Sequence, residues 1–513
     1  MAEAGKVILS KRLVMINAAS SVLSKLISVT VILWTYQYLL KRISTEEFAV
    51  LPVVGAMMVF APLFFSFFTG GISRYVTAAY ALGDDARITQ IISSIMVPLA
   101  AAALAFIGLG LVFAAHIDAI LNIAPHMVGQ ARMMMALLVI SYAFQMLATP
   151  YQTGFHVHQK FIELNLLGVA RDLLRMVLLL VLLLGVGPQV IWVVTATVIA
   201  ETLYALVTYT RGKALVPQLQ FRPAAFNAGQ ARQLFSFGLW TTVGRLGSVM
   251  YTHAATLVLN IYGSAADVTS YHIGSTFFRQ MESVISLASL PLQPAMTAMH
   301  TTGDTLRLRT TLLRGGRYAL WVSLAVAVPL MIYADDFIDI YLGPGFSQAV
   351  SVTILFMIMF PFTKPTQLLG MLAIANGQVR AFYLPAFLFQ LLGLVLMLIF
   401  VRMTDQTAIA ATLALTLITI GSQVSYYWRM CLRMAQVNLA EFTRQVLIPG
   451  HLPALAGGAM WITLKLIEPP TDWTSLIAVS LTGGVVYLIV LYAFCLEPQD
   501  RRAVARVFGR QLA

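Results

Sequence analysis

Apolar residues run through this chain in stretch after stretch of about twenty, separated by short polar breaks, with none of the sustained polar face that marks a helix half in water. The run "RMVLLLVLLLG" at 175–185 is typical, having no polar position after its arginine. At 1.5 Å per residue, about twenty such residues cross the roughly 30 Å hydrocarbon core of a bilayer. Placing a helix on each stretch predicts spans at 13–40, 48–80, 88–114, 130–154, 164–186, 189–210, 236–262, 268–299, 318–340, 349–375, 381–401, 408–428, 449–466 and 475–495. The expectation is an all-α polytopic membrane protein of about fourteen transmembrane helices, with no segment left over for a soluble domain. Composition agrees: 59% of the residues are hydrophobic and 11% charged, where soluble domains carry about 25% charged residues.

A gapless shift of 220 residues pairs Lys25 with Arg245, Ser44 with Ser264, Glu47 with Asp267 and Lys160 with Arg380, and lays "GDDAR" at 83–87 over "GDTLR" at 303–307. Charges are scarce in this chain, so their coincidence outweighs any matching of leucines. Six spans per unit is an even number, which makes the two halves parallel repeats about an axis along the membrane normal and puts a binding site between two bundles near mid-membrane. The expected organisation is a first six-helix bundle at 1–210, a polar, Pro-containing cytosolic linker at 211–235, a second six-helix bundle at 236–428, and two additional helices with a basic tail at 429–513.

The net charge of +12 changes the picture only through where it sits. With a cytosolic N-terminus, the inside loops hold 21 Lys and Arg and the outside loops four, Lys41, Arg42, Arg132 and Arg402. The positive-inside rule then sets both termini in the cytosol, and the excess charge is a topology signal rather than a nucleic-acid footprint. The N-terminus lacks a signal-peptide pattern, so the first apolar run is expected to stay as a helix. Two basic segments, "DTLRLRTTLLRGGRY" at 304–318 and "EPQDRRAVARVFGRQLA" at 497–513, read as helices lying at the headgroups and gripping anionic lipid. Cys431 and Cys495 sit near cytosolic ends of spans, so no disulfide is expected.

Candidate chemistry lies in charges inside the spans, since a charge deep in hydrocarbon costs from about 3 to well over 10 kcal/mol and needs something other than lipid to face. Eight cations qualify: Lys25, Arg74, Arg171, Arg175, Arg245, Arg279, Lys364 and Lys465. Three acids accompany them: Asp172, Glu201 and Glu282. Lys25, Arg245, Arg279 and Lys364 fall near the midplane. Lys25 and Arg245 are also equivalent under the 220-residue shift, and with Arg279 they suit a phosphate or pyrophosphate, to which Arg brings a bidentate fork and Lys a point charge. Pairing of Arg279 with Glu282, three residues on, is the competing structural reading. Asp172 and Arg175 share a helix face whereas adjacent Arg171 and Asp172 should not meet. Arg171 and Arg175 either line an inner vestibule or are neutralised by Glu201 from the next span, and Arg74 either assists or snorkels to the inner headgroups. Glu201, with no cation within four residues, is the candidate carrier of a coupling proton or sodium ion, with Glu282 beside it in that role. Pro361 and Pro365 flank Lys364, and Pro291 and Pro294 break the eighth span, as gating kinks do.

No "GxxxxGK[ST]" phosphate loop is present, and no cofactor or metal is implied. The outside acids Asp335, Asp336 and Asp339 read as solvated; a glycosyltransferase or polymerase would need larger outside loops for its chemistry. The chain is expected not to be an enzyme. Three stretches, "SSVLSKLISVTVILWTYQYLLKRISTEEFAVL", "LFSFGLWTTVGRLGSVMYTHAATLVLNIYGSAADVTSYHIG" and "PLQPAMTAMHTTGD", resemble the polysaccharide branch of the multidrug/oligosaccharidyl-lipid/polysaccharide exporter superfamily, the O-antigen and exopolysaccharide flippases. Ala49 stands where that family often has Gly, and Ala254 where many members carry an acid. The resemblance implies alternating access that carries an undecaprenyl-pyrophosphate-linked oligosaccharide from the cytosolic to the outer leaflet of a bacterial inner membrane, among membrane lipids and alongside a glycan polymerase and sugar transferases. A peptidoglycan-precursor flippase shares the cationic cavity. A multidrug cation antiporter of the same superfamily would want acids in the first and seventh spans, where this chain has none.

Overall fold

The computed structural model describes residues 29–497 and Arg501, apart from 31, 59–60, 62–64, 66–71, 159, 290–291, 293–295, 297–298 and 301–302; within helices the side chains at 73–74, 77–78, 81, 161, 236–252, 287, 375 and 379 fall outside the description. All secondary structure among the described residues is helical. Nine of the described helices are long and apolar enough to cross a membrane. The chain divides into two compact units, Met1–Thr269 and Ser270–Ala513.

The first unit holds α1 (32–40), α2 (Thr45–Met58), α3 (Ile72–Ala81), α4 (Asp85–Ala115), α5 (Val128–Ala148), α6 (Phe161–Gly185), α7 (Ile191–Leu215), α8 (Ala228–Tyr262) and the start of α9 (Ala265–Ser289). One of its cores gathers Ile72, Val76, Ile88, Ile91, Ile92, Ile95 and Tyr151 around Val216, Leu219 and Leu234. The linker is therefore docked, not loose. Thr89 donates to the Gln218 carbonyl at 3.0 Å, while Ser93 and Ser94 accept from the backbone N–H groups of Arg222 and Asn227 at 2.9 and 3.0 Å. These buried hydroxyls on α4 give the non-helical backbone the partners it needs away from water. The Asn260 amide closes a reciprocal pair with the backbone of Asn122, 2.9 Å each way, tying the end of α8 to the loop after α4.

The second unit continues with α10 (Thr305–Ile332), α11 (Ala334–Leu342), α12 (Ser347–Met357), α13 (Val379–Val401), α14 (Thr407–Ser422), α15 (Trp428–Ala435), α16 (Ile448–Ile467) and α17 (Trp473–Val490). A ladder of aromatic donors binds α10 to the two added helices. Trp321 donates to the Pro449 carbonyl at 2.7 Å, Tyr333 to Trp461 at 2.8 Å, Tyr487 to Trp321 at 2.8 Å and Trp461 to Ser480 at 3.1 Å. Each ring fills the interface while its polar edge finds a carbonyl. The expected break around Lys364 is present: α12 gives way to a short turn at Phe360–Thr363, a tighter one at Lys364–Thr366 and a helix at Leu369–Ala375. Pro291 and Pro294 lie outside the described residues.

The repeat is visible in backbone detail. Gly83 and Gly303 turn through φ +69° and +70°, a left-handed conformation that glycine adopts without steric cost. Asp84 then caps α4 by accepting from the Arg87 N–H at 2.9 Å, and Asp304 caps α10 by accepting from Arg307 at 3.1 Å. Ser44 accepts from the Glu47 N–H at 3.1 Å and Ser264 from that of Asp267 at 3.2 Å. All four positions obey the same 220-residue offset.

One expectation is corrected. The segment at 304–318 does not lie as a separate interfacial helix, because it is the first half of α10, continuous with the span. Leu308, Leu312, Leu313 and Arg317 are buried, and the arginines meet protein acids: Arg309 bonds Glu441, while Arg314 and Arg317 reach Glu497 at 2.5 and 2.9 Å. Apart from Glu497 and Arg501, the basic tail lies outside the described residues.

Candidate functional site

Of the cations expected within the spans, Lys25 lies outside the described residues, as do the side chains of Arg245 and Arg74, which sit on α8 and α3. Apart from Lys465, the rest fall into two clusters, one in each unit.

In the first unit, α6 carries Arg171, Asp172 and Arg175, and α7 brings Glu201 to meet them. Arg171 Nη1 is 3.3 Å from Glu201 Oε1, and Arg175 Nη2 is 3.6 Å from Asp172 Oδ1. The Arg171 guanidinium also lies 5.0 Å from the centre of the Tyr204 ring. Contrary to expectation, Arg171 also bonds its neighbour Asp172, through Nε at 3.2 Å and Nη2 at 3.1 Å. Adjacent residues leave a helix in different directions, but the long arginine stem folds back across the gap. Two arginines and two carboxylates balance, so this cluster is neutral, the second of the two readings the sequence left open. Glu201, read from its own helix as lacking a cation, has one from α6.

In the second unit, Arg279 on α9 lies 3.4 Å from His272 Nδ1 and from the His272 carbonyl, and 3.5 Å from Thr276 Oγ1. Glu282, a turn further along, is engaged from another element: Lys364 Nζ sits 2.5 Å from Glu282 Oε1 and donates to Gln367 at 3.0 Å. The Lys364 side chain is 2% exposed and that of Glu282 34%, so the acid is the accessible half of the pair. The helix break positions this lysine. Pro365 presses its carbonyl against Gly316 of α10, where a Cβ would approach within 2.2 Å, and Thr366 donates to Gln423 at 2.8 Å. His272, Thr276 and Gln367 escaped the sequence reading, although each falls three or seven residues from a cation and so on its helix face.

Toward the span ends, other charges serve structure. Lys465 bonds Asp335 and lies 2.8 Å from Asp336; Asp335, 61% exposed, is solvated as well as paired, whereas Asp336 is largely enclosed. Hydrogen bonding from Arg211, at 2.5 Å, holds the Glu163 carboxyl below its usual range, with Lys160 at 3.6 Å adding to it. Cys431 and Cys495 are free and buried. No cluster of metal-ligating side chains occurs among the described residues.

No protein-family profile matches this chain. It is 20% identical over 517 residues to EpsK of Bacillus subtilis (strain 168), an uncharacterized membrane protein, covering 96% of this chain and 98% of that one. Among solved structures, the lipid II flippase MurJ in an inward closed conformation matches with a TM-score of 0.72 at 14% identity, covering 93% of this chain and 97% of the other. An inward-facing multidrug resistance MATE family transporter of the MOP superfamily matches with a TM-score of 0.65 at 12% identity, covering 82% and 98%. The chain therefore shares the multi-pass helical fold of these solved structures.

Proposed function

We infer that this protein is a flippase that moves an undecaprenyl-pyrophosphate-linked oligosaccharide from the cytosolic to the outer leaflet of the bacterial inner membrane by alternating access of two bundles within a fourteen-span chain. The observation that carries the reading is the set of cations expected near the midplane, Lys25, Arg245, Arg279 and Lys364, against two acids, Glu201 and Glu282, in a chain with this transporter fold. A charge excess at that depth is costly unless it meets an anion, and a pyrophosphate headgroup supplies one. Lys25, Arg245 and Arg279 engage the pyrophosphate. Arg74, Arg171, Arg175 and Lys364 assist, the last three exchanging their present carboxylates for phosphate oxygens as the protein changes conformation. Glu201 and Glu282, the acids those exchanges would release, are the coupling candidates for a proton or sodium ion. The lipid tail stays in the bilayer, and the oligosaccharide comes from sugar transferases and passes to a glycan polymerase.

Neutralising Lys25 and Arg245 together (Lys25→Gln with Arg245→Gln) is expected to abolish surface-glycan export at an unchanged level of membrane-inserted protein; normal export would remove the assignment. A peptidoglycan lipid-precursor flippase is the second reading, favoured by the structural likeness to MurJ. The lipid-linked intermediate that accumulates on the cytosolic side when the gene is deleted separates the two: a glycan-bearing one supports export of oligosaccharide, a peptidoglycan precursor the alternative.

A further inference from the structure

A polar cleft of about 410 Å³ lies in the second unit, on the face expected to be cytosolic, where the loop before α13 meets α15. Asn376, Gln378, Gln436, Arg433 and Tyr426 line it, with Met430 and Met434 on its apolar side. Residues 375–383 and 424–440 contain Arg380, Arg429 and Arg433 and no acid, and the next acid along the chain, Glu441, is already bonded by Arg309. Arg433 and Gln436 are exposed, so their polar groups are open to a ligand.

The backbone supports the reading. Gln436 has φ +53° and is the only non-glycine residue with positive φ among the described residues. It follows α15 at the position where helices usually place glycine, its N–H bonded to the Arg433 carbonyl at 3.2 Å and that of Val437 to Leu432 at 3.0 Å. Such a conformation costs on the order of 1 kcal/mol for a residue with a side chain, and strain of this kind concentrates at ligand clamps. The Gln436 side chain that incurs the cost lines the cleft.

Depth identifies the ligand. Tyr426 donates to the Ala381 carbonyl at 2.7 Å and Tyr427 to Phe382 at 3.2 Å, and their rings contact Phe389, Phe382 and each other. Tyrosines gather at the headgroup level of a membrane, and this pair, Tyr426 half-buried and Tyr427 buried, closes the end of the span expected at 408–428. We propose that this cleft binds the phosphate of an inner-leaflet anionic phospholipid, Arg433 gripping the phosphodiester while the amides of Gln378 and Gln436 take the glycerol and headgroup oxygens. The volume exceeds what a bare phosphate needs and falls within the range of about 300–1,000 Å³ usual for ligand pockets. The proposal is independent of the transported substrate.

The test reconstitutes the full chain in nanodiscs of phosphatidylcholine containing a minor fraction of phosphatidylglycerol, and counts retained phosphatidylglycerol by native mass spectrometry after release. Wild type is expected to retain it, and Arg433→Ala to lose about tenfold in apparent affinity, the worth of one charge-assisted contact. Gln436→Gly, which relieves the left-handed strain and so leaves the fold secure, is expected to lose retention several-fold. Equal retention by wild type and both variants overturns the proposal. Glycerol 1-phosphate is the soluble arm, in discs of phosphatidylcholine alone: if it binds in an Arg433-dependent way while phosphatidylglycerol retention is indifferent to Arg433, the phosphate belongs to a soluble metabolite and the lipid assignment falls.

Discussion

Lys364 is the most enclosed cationic side chain among the described residues, at 2% exposure, and Glu282 is what makes its charge tolerable. Removing one member of a buried pair leaves an uncompensated charge and costs about 3–5 kcal/mol, whereas replacing both with apolar groups is often neutral. Glu282 is partly open, which places the expected loss for Glu282→Gln near the lower end, about 3 kcal/mol. Glu282→Gln combined with Lys364→Met should recover most of it. Thermal unfolding in detergent, followed by tryptophan fluorescence, checks both, and a double variant no more stable than the single one would refute the pairing. Gly212 offers a different kind of residue-level test. A Cβ there would meet the Tyr151 carbonyl at 2.0 Å, and backbone on both sides cannot yield cheaply. Gly212→Ala is expected to destabilise the first unit by roughly 1–3 kcal/mol in the same assay. At this scale the sequence showed which residues are charged at depth and, within one helix, the pairing of Asp172 with Arg175, but left the meeting of Arg171 with Glu201 as one of two readings. Glu201 lies thirty residues from Arg171, and only the packing of α6 on α7 joins them.

At the scale of elements, hydropathy located the helices well because the bilayer core leaves a helix little freedom of length or composition. It failed at the start of α10. There, leucines alternating with arginines satisfy two environments equally, a lipid surface or a protein groove with acids in it, and Glu441 and Glu497, more than a hundred residues away, decide for the groove. The docked linker was hidden for a related reason, since Ser93 and Ser94 within an apolar run look like neutral passengers until a backbone needs them. Element ends were easier, because caps are local. Asp472 opens α17 with a reciprocal cap: its Oδ1 accepts from the Ser475 N–H at 2.8 Å and the Ser475 hydroxyl oxygen accepts from the Asp472 N–H at 3.2 Å. Hydrogen bonds from Ser475 and Thr474 hold the Asp472 carboxyl at about 2, below its usual value near 3.9. A depressed folded-state pKa means that the cap's contribution is complete above about pH 4 and is lost as the pH falls toward 2. Hydrogen exchange at 473–476 should therefore quicken between pH 5 and pH 2.5, after correction for the intrinsic rate. Asp472→Asn should flatten that dependence, and an unchanged profile would discount the cap.

For the whole molecule, the 220-residue offset was the deepest feature legible in the sequence, and its chemistry explains why. Turns that need a glycine in the left-handed region followed by a capping Asp or Ser tolerate few substitutes, so Gly83–Asp84 and Gly303–Asp304 match in the sequence where the apolar positions do not. The offset also makes the orientation testable. If two even-numbered units run in parallel, loops at equivalent positions must face the same compartment, and the charge bias assigns the side: the linker bearing Arg211 and Lys213 inside, the short loop bearing Arg402 and Asp405 outside. Both Lys213 and Asp405 are exposed, and both native cysteines are buried, so single cysteines can be introduced against a low background. In intact cells with a permeable outer envelope, Asp405→Cys is expected to react with a membrane-impermeant maleimide, and Lys213→Cys to react only after the inner membrane is opened. The reverse pattern would invert the topology and turn the direction of proposed transport with it, whereas labelling of both from outside would contradict the odd number of crossings, five, expected between residues 213 and 405.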